Sequence, residues 1–256
     1  MDKGLASVSA LYRYPIKGLT GEALARVRLS EGATLPFDRA YAIENGPGPF
    51  NPKAPAHLPK IHFVMLMRNE QLAALKTRFE DETHTLTIAH NGTEMARGDL
   101  RTAAGRADIE TFITRYIGPS LRAAPRVIAS PGHSFSDVAA KCVHIINLES
   151  VRALETALGA KINPLRFRPN IVLMGWSAWS ELDLVGRHLK AGQATLNVFK
   201  RTERCAATNV DPQTGARDMK IPSFLSRNLG HTDFGVYARV IDGGILQNGD
   251  RVSIMD

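Results

Sequence analysis

Arg201-Thr-Glu-Arg-Cys-Ala-Ala-Thr-Asn-Val-Asp-Pro-Gln-Thr-Gly215 puts one of the chain's two cysteines between a basic residue and two alanines. The strand-like run Ala194–Lys200 leads into this stretch, and a rigid Asp-Pro-Gln-Thr-Gly turn closes it. A thiolate beside Arg204 is expected to have a lowered pKa, which readies Cys205 as a nucleophile or a soft metal ligand. Ala206 and Ala207 leave room for a bulky group to approach the sulfur. A lone cysteine is ordinarily a small core residue, but the flanks oppose that reading. Arg201, Glu203 and Arg204 precede it, and Thr208, Asn209 and Asp211 follow. Cys142 is the opposite case: it enters the apolar run Cys-Val-His-Ile-Ile and is read as structural and inert.

Working outward, 256 residues suffice for one large or two ordinary domains with a sizeable core. No stretch approaches the roughly 20 apolar residues of a membrane span, and the N-terminus lacks a signal-peptide core. Two cysteines make no disulfide framework, so a reducing cytoplasm is the expected compartment. The eight histidines are scattered and include no His-Glu-x-x-His pair, which argues against zinc. The net charge of +7 comes from dispersed basic residues with no run of five, a pattern that disfavours nucleic acid and suits a pocket for a phosphorylated small molecule.

Many short strands with turn signals between them imply a barrel. Strands are predicted at Ser7–Tyr14, Ala23–Leu29, Arg39–Ile43, Ile61–Met67 and Thr85–His90, the last followed by an Asn91-Gly92 hairpin turn. Further strands are predicted at Lys141–Asn147, Asn170–Met174, Glu181–Val185, Ala194–Lys200, Gly235–Val240 and Asp250–Met255. Helical periodicity marks Glu70–Phe79 and Ala107–Tyr116. A third helix runs from about Glu149 to Leu158, capped by Asn147 or Ser150 and ended by Gly159. Pro119 and Pro125 mark a boundary. The proline-rich loop Asn45–Pro59 is either an excursion at the mouth of a site or a plain surface loop.

Outside the cysteine block, two further constellations carry chemistry. Tyr14-Pro-Ile-Lys-Gly18 follows the first strand, and Phe37-Asp-Arg-Ala-Tyr41 opens a later one. Lys17 and Arg39 at neighbouring strand ends can converge on one anion, or Arg39 can form a local ion pair with Asp38. Arg166-Phe-Arg-Pro-Asn170 enters a buried strand, with Arg168 and Asn170 flanking a rigid proline. It is either a loop anchor or a set of planar hydrogen-bonding groups for a ligand.

Together these blocks resemble MOSC domains, the C-terminal domains of molybdenum cofactor sulfurases and their relatives, preceded by the family's N-terminal β-barrel domain. The resemblance covers residues 4–122 for the N-terminal domain and 126–256 for the MOSC domain. It implies a mixed α/β, β-rich fold: a MOSC β-barrel with flanking helices plus an N-terminal barrel-like α+β domain. In the amidoxime-reducing branch, the position of Cys205 binds molybdenum. The implied cofactor is the molybdenum cofactor (Mo-molybdopterin), contacted by Lys17, Gly18, Arg39, Arg168, Asn170 and Arg204. Gly18 stands where the family usually has Ser. Ser136, in His-Ser-Phe-Ser-Asp137, is a further contact, and Tyr237, in Phe-Gly-Val-Tyr, is either a contact or a core tyrosine with a bonded hydroxyl. Trp179 through Leu182 match a stretch read as packing around the barrel. The implied activity is reduction of small N-hydroxylated compounds such as amidoximes and hydroxylamines. No fused iron–sulfur domain is seen before Asp256, so a separate electron-transfer protein is the expected partner, with no role for nucleic acid or membrane. A second class of function is sulfur relay through a Cys205 persulfide, and a third is a non-enzymatic module for anionic ligands.

Overall fold

The computed structural model describes residues 5–255. The N-terminal half contributes β1 (Ala6–Arg13), β2 (Glu22–Leu24), β3 (Arg26–Leu29), β4 (Tyr41–Glu44), β5 (Lys76–Glu80), β6 (Thr85–His90), β7 (Thr93–Asp99) and α1 (Ala103–Ile117). There follow β8 (Arg126–Ala129), β9 (Val143–Asn147), α2 (Leu148–Leu158), β10 (Ile171–Met174), β11 (His188–Ala191) and β12 (Ala194–Glu203). The chain finishes with α3 (Ile221–Leu229), β13 (Asp233–Asp242), β14 (Gly244–Gln247) and β15 (Arg251–Met255).

Seven strands close a barrel in the order β10, β9, β13, β12, β11, β15, β1, with β1 pairing back onto β10. Side chains alternate across each strand, so every second residue points inward. Val8, Ile145, Leu173, Leu189, Leu196, Val198, Val236, Ala238 and Val252 fill the interior and are almost fully buried. β9 and β10 run parallel, Ile171 opposite Ile145, and α2 makes the crossover that such a pair requires. Their outer faces carry Ile146 and Val172, which pack on Val151, Leu154, Ile221 and Leu225 of α2 and α3. A strand covered on both faces reads as a continuous apolar run, and β9 is buried at every position.

The barrel crosses the chain's midpoint. β1, from the N-terminal half, supplies one stave, and β3 pairs with β14 near the C-terminus. The rest of the N-terminal half folds separately as the β5–β6–β7 meander, the β4–β8 ribbon and α1, around Ile43, Leu72, Leu86, Ile88, Ile109 and Ile113.

Three predicted elements are corrected. The helix expected at Glu70–Phe79 is a 3-10 turn over Glu70–Ala74 followed by β5. Leu72 and Leu75 satisfy a three-residue repeat as well as a helical one, and pairing of Lys76–Glu80 with β6 overrides the short helix. Ile61–Met67 makes a 3-10 turn, Lys60–His62, and one bridge from Phe63 to Glu44 rather than a strand. Glu181–Val185 is likewise a 3-10 turn, Ser180–Leu184. The helix capped by Asn147 is present as α2; its Asn147 side chain accepts from Glu149 N, and Gly159 ends it in the left-handed region.

Glu181 explains why that turn holds its shape. Its carboxylate is fully buried and accepts from Ser150 Oγ at 2.8 Å and Asn147 Nδ2 at 3.4 Å, tying the turn to the start of α2. Burial pushes its pKa up to about 7 from 4.5. A folded state that binds a proton more tightly than the unfolded chain loses stability as pH rises between those two values. Urea unfolding of the wild type should therefore weaken from pH 5 to pH 8 relative to Glu181→Gln, by about 2–3 kcal/mol. Parallel pH dependence in the two proteins would refute the assignment.

Candidate functional site

A cavity of about 260 Å³ opens where β1 and β12 end and β9 and β10 begin, and Met65–Met67 and Ser136–Val138 complete its wall. Lys17, Gly18, Arg39, Ser136, Arg168, Asn170, Arg204, Cys205 and Tyr237, the nine residues singled out from sequence, all line it. They come from six separate stretches of chain.

Lys17 follows β1, where Lys17 N donates to Tyr41 O and holds the two segments together. The lysine is buried rather than solvated, with its Nζ donating to Phe135 O at 2.8 Å and paired with Asp137. Gly18 lies in the left-handed region at φ +85°, and a Cβ there would sit 2.7 Å from Val64 O. A serine would clash, which gives this chain its own reason for glycine at that position.

Arg39 forms the local ion pair with Asp38 and also reaches the cavity wall, its Nη2 donating to Arg168 O at 3.3 Å. Arg39 and Arg168 are both left-handed at φ 52°, a conformation rare outside glycine, and hydrogen bonds from Arg39 N to Tyr14 O and from Arg168 N to Leu165 O hold them there. Both guanidiniums lie over the Tyr14 ring, at 4.6 and 4.2 Å from its centroid. Burial and the neighbouring Arg39 push the Arg168 pKa down to about 10.

The charges do not balance. Lys17 has Asp137 and Arg39 has Asp38, but Arg168 and Arg204 pair with no carboxylate among the described residues. Arg168 Nη1 donates to Leu19 O at 2.7 Å, and Arg204 Nη2 donates to Phe167 O at 2.8 Å. Arg204 Nε is buried without a partner. Two guanidiniums left short of counter-charge around one cavity give it an excess of positive charge, a chemistry suited to an anion.

Cys205 stands half-buried at the N-terminal edge of the 3-10 turn Ala206–Asn209, where its carbonyl accepts from Thr208 N and Oγ1. The loop behind it is tied down twice. Arg166, almost fully buried, donates to Asn209 O, Asp211 and Asp218. Arg217 bridges Ala206 O, Met67 O and Glu70, clamping the cysteine turn to the methionine wall. Cys142 reaches the same cavity but is 5% exposed, and burial pushes its thiol up to about 12.

The amide of Asn170 is engaged at both ends: its Oδ1 accepts from His144 N at 3.0 Å, and its Nδ2 donates to Tyr12 O at 3.2 Å. Ser136 Oγ donates to Val138 O, which leaves its oxygen free to accept. Tyr237 is half-buried, and burial pushes its pKa up to about 12, so it stays a protonated donor.

Sequence reading missed Lys60, Met65, Phe167, Lys200 and His144, all of which line the cavity. Lys60 sits where the proline-rich loop returns to the body, and Met65 was assigned to a strand. His144 interrupts the apolar residues Val143, Ile145 and Ile146 of β9, and that interruption is the available signal.

The MOSC domain family model matches residues 131–253, and the MOSC N-terminal beta barrel domain model matches residues 5–120. The chain is similar to mitochondrial amidoxime reducing component 2 of Bos taurus, 32% identical over 122 residues, covering 43% of this chain and 36% of that protein. It is also similar to mitochondrial amidoxime-reducing component 1 of Homo sapiens, 28% identical over 123 residues with the same coverage, 43% and 36%. The match thus spans 36% of these curated relatives' length. Among solved structures, the YuaD protein of Bacillus subtilis aligns over 98% of this chain and 96% of its own at 12% identity, with a TM-score of 0.46.

The two thiols should separate chemically. A thiol of pKa about 12 holds only about 10⁻⁵ of its population as thiolate at pH 7. Brief iodoacetamide treatment of the native protein, followed by peptide mass spectrometry, should alkylate Cys205 and leave Cys142 unmodified until the chain is unfolded. Equal labelling in the native state would contradict the placement.

Proposed function

Because the chain belongs to the MOSC family, carrying the N-terminal beta barrel domain and the MOSC domain in that order, we propose that this cavity holds the molybdenum cofactor and reduces N-hydroxylated compounds. The single observation that carries the reading is the meeting of Cys205 with Arg168 and Arg204, two half-buried cations lacking carboxylate partners among the described residues, in one cavity. The donor set fits the group. A soft thiolate suits a molybdenum centre whose other sulfurs come from a pterin dithiolene, and forked guanidiniums suit its phosphate. The relatives' name, amidoxime reducing component, supports the reaction class.

When bound, the cofactor supplies the two-electron chemistry that removes oxygen from nitrogen. The protein's share is position and charge. Cys205 would be the metal ligand, held in place by the Arg217 and Arg166 ties behind its turn. Arg39, Arg168 and Arg204, with Lys17, would offset the phosphate. The Gly18 backbone, Ser136 and Tyr237 would border the cofactor as hydrogen-bonding groups, and Asn170 would hold the cradle's shape, its own amide already bonded. Cleaving the N–O bond consumes two electrons and two protons and releases water. The electrons would come from a separate redox protein.

Elemental analysis and pterin fluorescence on the purified protein test the reading. It expects roughly one molybdenum per chain, molybdenum lost in Cys205→Ser, pterin lost in Arg168→Ala, and turnover of an amidoxime with a chemical reductant. A metal-free protein carrying a cyanide-labile sulfur on Cys205 would replace it with sulfur relay.

A further inference from the structure

His144 touches each of the three C-terminal blocks that build the cavity, and no role above uses it. Its ring is 3% exposed. Nδ1 lies 3.4 Å from Arg168 O, Nε2 lies 3.4 Å from Arg204 Nη1, and the ring centroid is 5.3 Å from that of Tyr237. The backbone of His144 carries Asn170: His144 O accepts from Asn170 N at 2.8 Å, and His144 N donates to Asn170 Oδ1.

The two ring contacts favour one tautomer. A carbonyl only accepts and a guanidinium only donates. A proton on Nδ1, facing Arg168 O, with the Nε2 lone pair toward Arg204, meets both, in competition with the Phe234 backbone that also reaches the ring. A second proton would set N–H against N–H and add a fourth cation beside Arg39, Arg168 and Arg204. Burial and the Arg204 charge act in the same direction, holding the imidazole well below its ordinary range. Gly235 protects the arrangement, since a Cβ there would lie 2.8 Å from Nε2 and 2.4 Å from Ile145 O.

We infer that His144 is a positioning residue: a permanently neutral acceptor that aims the Arg204 guanidinium at the anion in the cavity. This rests on the anion-binding reading of the site. Among the described residues, Arg204 otherwise has one hydrogen-bonded anchor, Phe167 O, and a long flexible stem. Fixing a second nitrogen from behind limits how the guanidinium can turn, and Nε, buried without a partner, leaves it short of acceptors. The locked Nδ1 proton also bars His144 from acting as an acid toward substrate, which separates its role from proton delivery.

The test uses the full chain, purified from cells unable to make the pterin, with inorganic phosphate as the probe in calorimetric titrations. ¹⁵N NMR of the wild type should show His144 as the neutral Nδ1–H tautomer from pH 5.5 to 8. Phosphate affinity should fall about tenfold in His144→Leu, stay within about threefold in His144→Gln, whose amide oxygen can take the place of Nε2, and fall at least as far in Arg204→Ala. In the Arg204→Ala background, His144→Leu should have no further effect, which a general loss of folding would not reproduce. Circular dichroism melts check that each variant folds. Unchanged affinity in His144→Leu, an additive loss in the double variant, or an imidazolium at pH 7 would overturn the inference while leaving the anion site standing. A wild type blind to phosphate would overturn both together.

Discussion

Four hydrogen bonds around Asn170 hold the barrel shut beside its cavity. Its backbone N–H donates to His144 O and its carbonyl accepts from Tyr12 N. Its side chain repeats the connection, accepting from His144 N and donating to Tyr12 O. One residue ahead of β10 thereby joins β1, β9 and β10, where the regular ladder has run out and backbone groups would otherwise lie buried without partners. The residues on either side inherit their positions from this seam. Arg168, two residues earlier, is thrown into the left-handed region toward Leu19, and His144 is fixed with its ring beneath Arg204.

On that frame the molecule keeps charges it does not neutralise. Carboxylates are present nearby, yet Asp38 and Asp137 are committed to Arg39 and Lys17, while Asp211 and Asp218 lie behind the cysteine turn with Arg166. The tied carboxylates leave the surplus positive charge on Arg168 and Arg204. Keeping half-buried cations unpaired costs stability, and Tyr14, with a guanidinium over its ring twice, recovers part of it. The site is electrostatically incomplete by construction, and the rest of the fold carries that cost.

Legibility in the sequence followed the physics of each element. Strands with alternation or a mostly apolar, β-forming run, such as Thr85–His90 and Val143–Asn147, were readable because tertiary contacts agree with local preference. The stretch Lys76–Glu80 was not, because its strand character comes only from lying beside β6. β11 and β14, four residues each, went unnoticed because so short a run carries no period. Lys17, Arg39, Arg168, Arg204 and Cys205 stood out as charged or nucleophilic residues at element ends, where side chains gather. Membership of the cavity was beyond local reading for Met65 and Lys60, since their position depends on how the N-terminal half folds over the barrel mouth. The left-handed backbone of Arg39 and Arg168 had no sequence sign at all.

The closing of the barrel by its first strand has a consequence for the making of the molecule. Ala6 finds Val252, and Ser7 finds both Met174 and Arg251. Val8 and Leu11 of β1 must wait for partners that lie far later in the sequence. The meander and α1 can settle in the meantime, because their partners are near neighbours. The cavity draws its lining from both halves of the sequence, so it is complete only once the barrel is closed. Any group destined for it meets a pocket that exists only in the closed barrel.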